Sequence, residues 1–596
     1  MSKTSKLTIL LSSFTVLLCC YYLIYVAPFF PNQNGGLGHD YALWFPRMLA
    51  GVYYFENNSF SVIPWFTPSF CGGNVFFADP QNLFFSIPQF LNFYFGPVFS
   101  VTLTFMLFAA FGLVGSYLLA HHTFHLRFSS SIFAAALFLF NGFYAYRIII
   151  GHLSYHSFML IPLICYVLLQ PARTRNWIGE IAISLVAAML CSYVFYSGGI
   201  HLLLPLAFSV ASVFILFRIC GNNLKHVLWR SLSVLVFTMI FCAAKLNVAL
   251  ATLNTFSRDY YPLSGIDNIF YAFWVPIKSL FISAFTVGET NTIFTNSQWA
   301  IERHELELSL TIVPLILILW GLIKLFLKDI KISKSQYYCL IPLVIIFSLP
   351  IAINFYTPEW NALLKQTPIL KNSVTLVRWY ALYIPIIVMV SSLILNKFIH
   401  NRSIVFMLIA LVIFIKFNEE KSYYAEQSYN PDLVIYAHDQ VMKTKVVPKI
   451  TEISSSNRVV TPEGIEMPGG DGIMAFGLSQ INCSESLFGY RNEEFKQKEL
   501  LEVNQLVTNT SNKIFNLKNP ACYVFPNDNN CNPGDHFRID QEDELLNFVN
   551  YKGFNFNMPV RQHIFNWMSL VGFVISSVFL VIFFINALLF RILRKS

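Results

Sequence analysis

The stretch Leu7-Thr8-Ile9-Leu10-Leu11-Ser12-Ser13-Phe14-Thr15-Val16-Leu17-Leu18-Cys19-Cys20-Tyr21-Tyr22-Leu23-Ile24-Tyr25-Val26-Ala27-Pro28-Phe29-Phe30 contains no Asp, Glu, Lys, Arg or His. A helix of about 20 residues crosses a hydrocarbon core about 30 Å thick. This run is longer than the apolar core of a signal peptide, and no small-residue cleavage site follows it. It is expected to stay in place as a first membrane-spanning helix.

The same signature recurs along the chain. Hydrophobic residues make up 55% of the 596 and charged residues 12%, whereas soluble domains carry about 25% charge. Backbone groups in lipid must be satisfied within the spanning segment, so apolar runs of this length imply helices rather than barrel strands. Hydropathy predicts twelve helices, near 7–30, 97–120, 131–150, 153–170, 177–197, 200–219, 229–253, 308–327, 337–356, 374–396, 402–417 and 566–590. The expected fold class is an all-α polytopic membrane protein.

The net charge of +8 reads as topology and not as a nucleic-acid surface. Lys3 and Lys6, Arg127, Arg173 and Arg175, Arg218, Lys225 and Arg230, Lys324 to Lys334, Lys397 and Arg402, then Arg591, Arg594 and Lys595 fall on alternate connections. The positive-inside rule then puts both termini in the cytoplasm. Three long polar connections, 31–96, 254–307 and 418–565, fall on the opposite side. The first is rich in Phe, Trp, Pro and Gly, which predicts short helices lying in the membrane interface. The third predicts a small mixed α/β exoplasmic domain, closed by the final helix and a basic tail over 566–596. Residues 1–417 form the membrane domain in this reading.

Most of the eleven cysteines lie in apolar runs, where a thiol is a small buried hydrophobe. Cys522 and Cys531 stand apart, nine residues from each other in a polar Asn- and Pro-rich stretch on the exoplasmic side. Oxidising conditions there predict a disulfide between them.

Ionisable residues at a membrane edge are costly and mark candidate sites. Asp40 follows the first helix, Arg147 and His152 flank a turn between two apolar runs, and Arg378 opens a later one. Lys245 is expected about 12 Å inside the end of its helix. All five are predicted to face one outer leaflet. A carboxylate among cations suits a reaction in which an acceptor hydroxyl loses its proton while a phosphate leaves. The plainer readings are headgroup snorkelling for Arg147 and Arg378, a turn hydrogen bond for His152 and a carbonyl contact for Lys245. Asp79, in Asp79-Pro80-Gln81-Asn82, is a second acid in the first connection and equally a turn-capping residue. No Walker loop, metal-spaced Cys/His set or Gly-x-Ser-x-Gly elbow occurs.

Several stretches resemble the GT-C superfamily of integral-membrane glycosyltransferases, and within it the bacterial YfhO-like proteins. They are His39-Asp40, Trp65-Phe66-Thr67-Pro68, Cys71-Gly72-Gly73-Asn74, Asp79-Pro80, Ser197-Gly198-Gly199-Ile200-His201, Pro368-Ile369-Leu370 and Val377-Arg378-Trp379. The superfamily's second Arg after the last of these is absent here. The resemblance implies inverting sugar transfer from a polyprenyl-phosphate-linked donor to a lipid-linked glycan or cell-envelope acceptor, at the outer face of a bacterial inner membrane. Within it Asp40 or Asp79 is the base, with His39, Arg147, His152, Lys245 and Arg378 around the lipid phosphate. It implies no particular cofactor and admits a divalent cation at the Asp; its partners are the donor, the acceptor and the bilayer. The alternatives are a lipid-linked glycan flippase, which predicts internal repeats not found in the sequence, and a non-enzymatic membrane assembly protein.

Overall fold

In a computed structural model, described over residues 3–59, 62–170, 177–256, 262–297, 300–327, 333–368, 370–454, 458–460, 466–468, 470–481, 504–505, 507–509 and 514–593, the chain is mostly helical. Among the described residues nine helices are long and apolar enough to cross a membrane: Lys6–Tyr25, Pro97–Thr123, Phe128–Ile150, Trp177–Tyr196, Ile200–Ile219, Lys225–Thr255, Gln336–Asn354, Val377–Phe398 and Val560–Leu589. These match nine of the twelve expected segments. The other three are shorter. The segment 153–170 begins as a 3-10 turn over Leu153–Leu160 and becomes α-helical over Ile161–Leu169. Ile312–Phe326 has 15 residues and Arg402–Phe417 has 16. Hydropathy registers apolar length but not where the backbone leaves the helix, and Pro162 and Pro314 stand at the first turns of two of these pieces.

The centre of the bundle is Phe128–Leu139 followed by Gly142–Ile150, buried along its whole length. Asn141 breaks it and restarts it, accepting a hydrogen bond from the Tyr144 N–H at 2.9 Å as an N-cap. Pro97–Leu118, Tyr383–Phe398 and Arg402–Phe417 pack around this centre. Lys225–Thr255 lies between Trp177–Tyr196 and the closing helix Val560–Leu593.

Some cations counted for orientation have structural work at the helix ends. Arg230 is buried, chelates Glu180 at 2.8–3.0 Å and donates to the carbonyls of Leu168 and Gln170 at the end of Ile161–Leu169. Arg173, Arg175, Lys328, Lys331, Arg594 and Lys595 lie outside the described residues.

The first connection differs from expectation. Its helix, Tyr41–Asn57, is buried on nearly every face from Tyr41 to Tyr54 rather than lying on the interface. Its aromatic residues share one core with the late polar segment: Trp44, Phe45, Phe66 and Phe70 pack in the same cluster as Val434, Ile450, Phe515, Phe537 and Tyr551. Phe70 bridges Gln480, and the Lys518 N–H bonds to Gly72 O at 2.7 Å. The apolar content that suggested an interfacial loop is satisfied by protein. Among its described residues the late segment holds the helices Asp432–Thr444 and Glu542–Val549 and small sheets, in which Glu452–Ser454 runs parallel to Leu478–Gln480 and antiparallel to Asn504–Gln505. Ile514–Lys518 pairs with Val507–Asn509 and His536–Arg538. Cys522 and Cys531 are joined in a disulfide with Cα atoms 5.7 Å apart. Cys71, quoted in the sequence analysis only within Cys71-Gly72-Gly73-Asn74, is also disulfide-bonded, a bond not expected there.

Candidate functional site

The site begins with two chain turns pressed together. Gly38 passes so close to the end of Gly142–Ile150 that a Cβ there would lie 2.2 Å from the carbonyl oxygens of Ile149 and Ile150. Gly151 ends that helix at φ 114°, a left-handed C-cap, and a Cβ there would lie 2.5 Å from Tyr41 N. The Asp40 N–H then bonds to Ile150 O at 3.0 Å. Asp40 stands at the head of Tyr41–Asn57 and His152 just past the opposing helix, so the close approach of the backbones brings the side chains together.

His152 Nε2 lies 2.5 Å from Asp40 Oδ2. Its Nδ1 faces Arg147 NH1 at 3.2 Å. A guanidinium only donates, so Nδ1 is the acceptor and the imidazole proton sits on Nε2, donated to the carboxylate. Burial lowers the His152 pKa to about 4 despite the raising effect of Asp40, in keeping with this neutral tautomer. For Asp40 burial acts upward, but the histidines around it, His152 foremost, hold its carboxyl well below the usual range.

Arg147 is fully buried and continues the chain of contacts. It bonds Glu305 Oε2 at 2.7 Å and lies over the rings of Phe143 and Tyr155. Arg378, at the start of Val377–Phe398, reaches the same carboxylate through Nε at 3.0 Å and NH2 at 2.5 Å. The two guanidiniums drive the Glu305 pKa far down against its burial. The result is a continuous series of side-chain contacts, Asp40, His152, Arg147, Glu305, Arg378.

Asp40, His152, Glu305 and Arg378 of this series line a cleft of about 570 Å³, with Arg147 buried behind them. His39, Asp40, His152, Tyr155, Glu305 and Arg378 line it, with Gln81 and His201 at one side and Ser264, Asn372, Ser373 and Thr375 at another. Arg378 is the more open of the two arginines, its side chain 23% exposed against 0% for Arg147.

Five of the residues singled out in the sequence therefore meet: His39, Asp40, Arg147, His152 and Arg378. Asp79 and Lys245 do not join them. Asp79 forms a buried ion pair with Arg47 at 3.0 Å and accepts from the Gln81 N–H at 2.8 Å, the turn-capping role. Lys245 donates to Asn82 O at 3.0 Å. Both hold the first connection in place beneath the cleft. Ile369 of the Pro368-Ile369-Leu370 stretch lies outside the described residues.

The sequence reading missed Glu302, His304 and Glu305. Their signal was Glu302-Arg303-His304-Glu305-Leu306-Glu307, five charged or basic side chains in six residues of a chain that is only 12% charged, just before an apolar run. Glu302 accepts from Tyr423 OH at 2.7 Å and lies 3.4 Å from His39 Nε2; its pKa is lowered to about 2, His304 outweighing burial.

Two donor sets bear on a divalent cation. His152, His304 and Glu305 place ligand atoms within 4.8 Å of one another, but both Glu305 oxygens already face guanidiniums and both His152 nitrogens are engaged. The second set is His39, Asp40, Glu302 and His304. His39 Nε2 is 3.6 Å from Asp40 Oδ1, and the buried His304 Nδ1, without a well-aligned hydrogen bond, is 3.2 Å from Glu302 Oε2. Carboxylate oxygens and imidazole nitrogens are donor types that suit a divalent ion, but among the described residues only the first set brings all its ligand atoms within 4.8 Å of one another. Comparison with protein-family models and with curated proteins found no match to this chain.

Proposed function

We propose that the chain is an inverting glycosyltransferase of GT-C type, transferring a sugar from a polyprenyl-phosphate-linked donor to a lipid-linked glycan or other cell-envelope acceptor on the outer face of a bacterial inner membrane, with both termini in the cytoplasm. The observation that carries this reading is the placing of Asp40 and Arg378 on one cleft wall at the loop end of the apolar helices. The acceptor oxygen attacks the anomeric carbon, the bond from that carbon to phosphate oxygen breaks, and configuration inverts. Asp40 takes the hydroxyl proton. A strongly acidic carboxyl serves here because the hydroxyl becomes acidic only as the new bond forms at an oxocarbenium-like centre.

His152 fixes the Asp40 rotamer through Oδ2, leaving Oδ1 toward the cleft. Arg378 receives the departing phosphate charge. Arg147, fully buried, holds His152 and Glu305 in position. A divalent ion, if held by His39, Glu302 and His304 with Asp40 left as the base, would neutralise charge on the leaving phosphate.

The test is glycan composition by mass spectrometry in cells carrying Asp40→Asn. Loss of one sugar at normal protein level supports the transferase. An unchanged sugar complement overturns it, and intact glycans that reach the outside more slowly identify a flippase instead.

A further inference from the structure

The helix Ile269–Phe281 belongs to none of the predicted spans and takes no part in the cleft wall. Asn268 caps its start, accepting from the N–H groups of Phe270 and Tyr271 at 2.9 and 3.3 Å. Its 13 residues extend about 20 Å, too short to cross a bilayer. Ala272, Val275, Pro276, Ser279 and Leu280 face protein. The other face is apolar and open to the surroundings: Phe270 is 82% exposed, and Phe273, Trp274 and Ile277 are exposed beside it.

Both ends of this helix are pinned at the level where neighbouring apolar helices stop. Before it, the Ile266 N–H bonds to Asn354 O and Ile266 O accepts from Tyr356 N–H, at the end of Lys334–Asn354. After it, the Ser309 and Leu310 N–H groups bond to the carbonyls of Ser279 and Leu280, just before Ile312–Phe326 begins. Those two apolar helices are themselves exposed along one side, at Ile316, Leu319 and Ile323 and at Ile341, Val344 and Ile345. The aromatic face of Ile269–Phe281 therefore lies at the rim of an exposed apolar surface. Phe, Tyr and Trp at the end of spans occupy the headgroup boundary.

The same excursion is rooted in the cleft. Gly265 and Thr295 close its neck with a pair of antiparallel bonds at 3.1 and 2.8 Å, and the adjoining Ser264 and Ser297 line the cleft.

We propose that Ile269–Phe281 is an in-plane interfacial helix whose Phe270, Phe273, Trp274 and Ile277 contact bilayer lipid, holding the cleft mouth at headgroup depth for a lipid-borne substrate. The lipid contact stands by itself; the substrate clause rests on the proposed transferase reading.

The experiment places p-benzoylphenylalanine at Phe270 and, separately, at Trp274 of the full chain, reconstituted in vesicles of phosphatidylethanolamine and phosphatidylglycerol. Ile345 on the exposed apolar surface and Leu546 in the late polar segment serve as positive and negative references. Lipid adducts at 270 and 274 at the level of 345, and none at 546, are expected. A cross-link to a second copy of the chain, or no adduct at 270 and 274 while 345 reacts, overturns the proposal. In a transfer assay, Phe270→Asp combined with Trp274→Asp raises KM several-fold for a long-chain polyprenyl-phosphate donor and leaves a short-chain water-soluble donor unaffected. Equal effects on both donors overturn the substrate clause. Lipid adducts in a chain without transfer activity reject the transferase reading and leave the interfacial helix standing.

Discussion

The imidazole of His152 joins Asp40 to Arg147, its Nε2 2.5 Å from Asp40 Oδ2 and its Nδ1 3.2 Å from Arg147 NH1. Proton placement at this junction sets a pH dependence of stability. The unfolded His152 takes up a proton below about 6.5, whereas the folded one stays neutral to about 4. The unfolded state thus binds more protons over that interval, and stability falls as pH drops through it, by at most about 1.4 kcal/mol per pH unit. Asp40, whose folded pKa is depressed, adds loss in the same sense below the ordinary carboxylate value near 3.9. Melting temperatures of the purified protein measured between neutrality and pH 4 should decline, and His152→Gln should flatten the part of the decline above pH 4.

The two acids of the first connection separate by stability. Asp79→Asn takes the carboxylate from a buried Arg47 and should cost about 3 kcal/mol. Asp40, its side chain 30% exposed at the cleft, should lose less on conversion to Asn, whose side-chain oxygen still accepts from His152, while turnover falls about 10²- to 10⁴-fold. Melting and turnover measured on both variants check this contrast; equal melting for the two would contradict it.

Glu305 neutralises a fully buried arginine, and its removal should be felt in the fold. Glu305→Gln leaves Arg147 with an uncompensated charge, for a loss of about 3–5 kcal/mol seen as a lowered melting temperature. Arg378→Ala, more exposed, should melt nearer the parent and weaken both donor binding and turnover.

The Cys522–Cys531 disulfide closes a short loop, and the loop-entropy model assigns it roughly 3 kcal/mol. Peptide mapping without reduction should recover the two cysteines linked. Cys531→Ser should lower the melting temperature under oxidising conditions and reduce its dependence on reductant to what the Cys71 disulfide contributes.

Orientation is checked by cysteine labelling in intact cells, in a background with Cys220 replaced by Ser. Asn34→Cys and Asn291→Cys lie in the first two long connections and should react with an impermeant thiol reagent from outside. Asn222→Cys, between Leu203–Ile219 and Lys225–Thr255, should not.

The sequence by itself determined the solvent and the secondary structure. Apolar runs without charge have one inexpensive backbone state in lipid, so their length was enough to place nine helices. The same reasoning marked Asp40, Arg147, His152 and Arg378, because charge at a membrane edge stands out against an apolar background. What it could not assign was pairing. Asp79 and Asp40 look alike in one dimension, and only the fold of the first connection back onto Tyr41–Asn57 puts Arg47 against the one, while the approach of that helix's start to the end of Gly142–Ile150 puts His152 beside the other. Glu305 lies 158 residues from Arg147 and 73 from Arg378, separations at which no local periodicity operates. Gly38 and Gly151 were visible as residues, but their need arises from two backbones passing within contact distance, which only the tertiary packing decides.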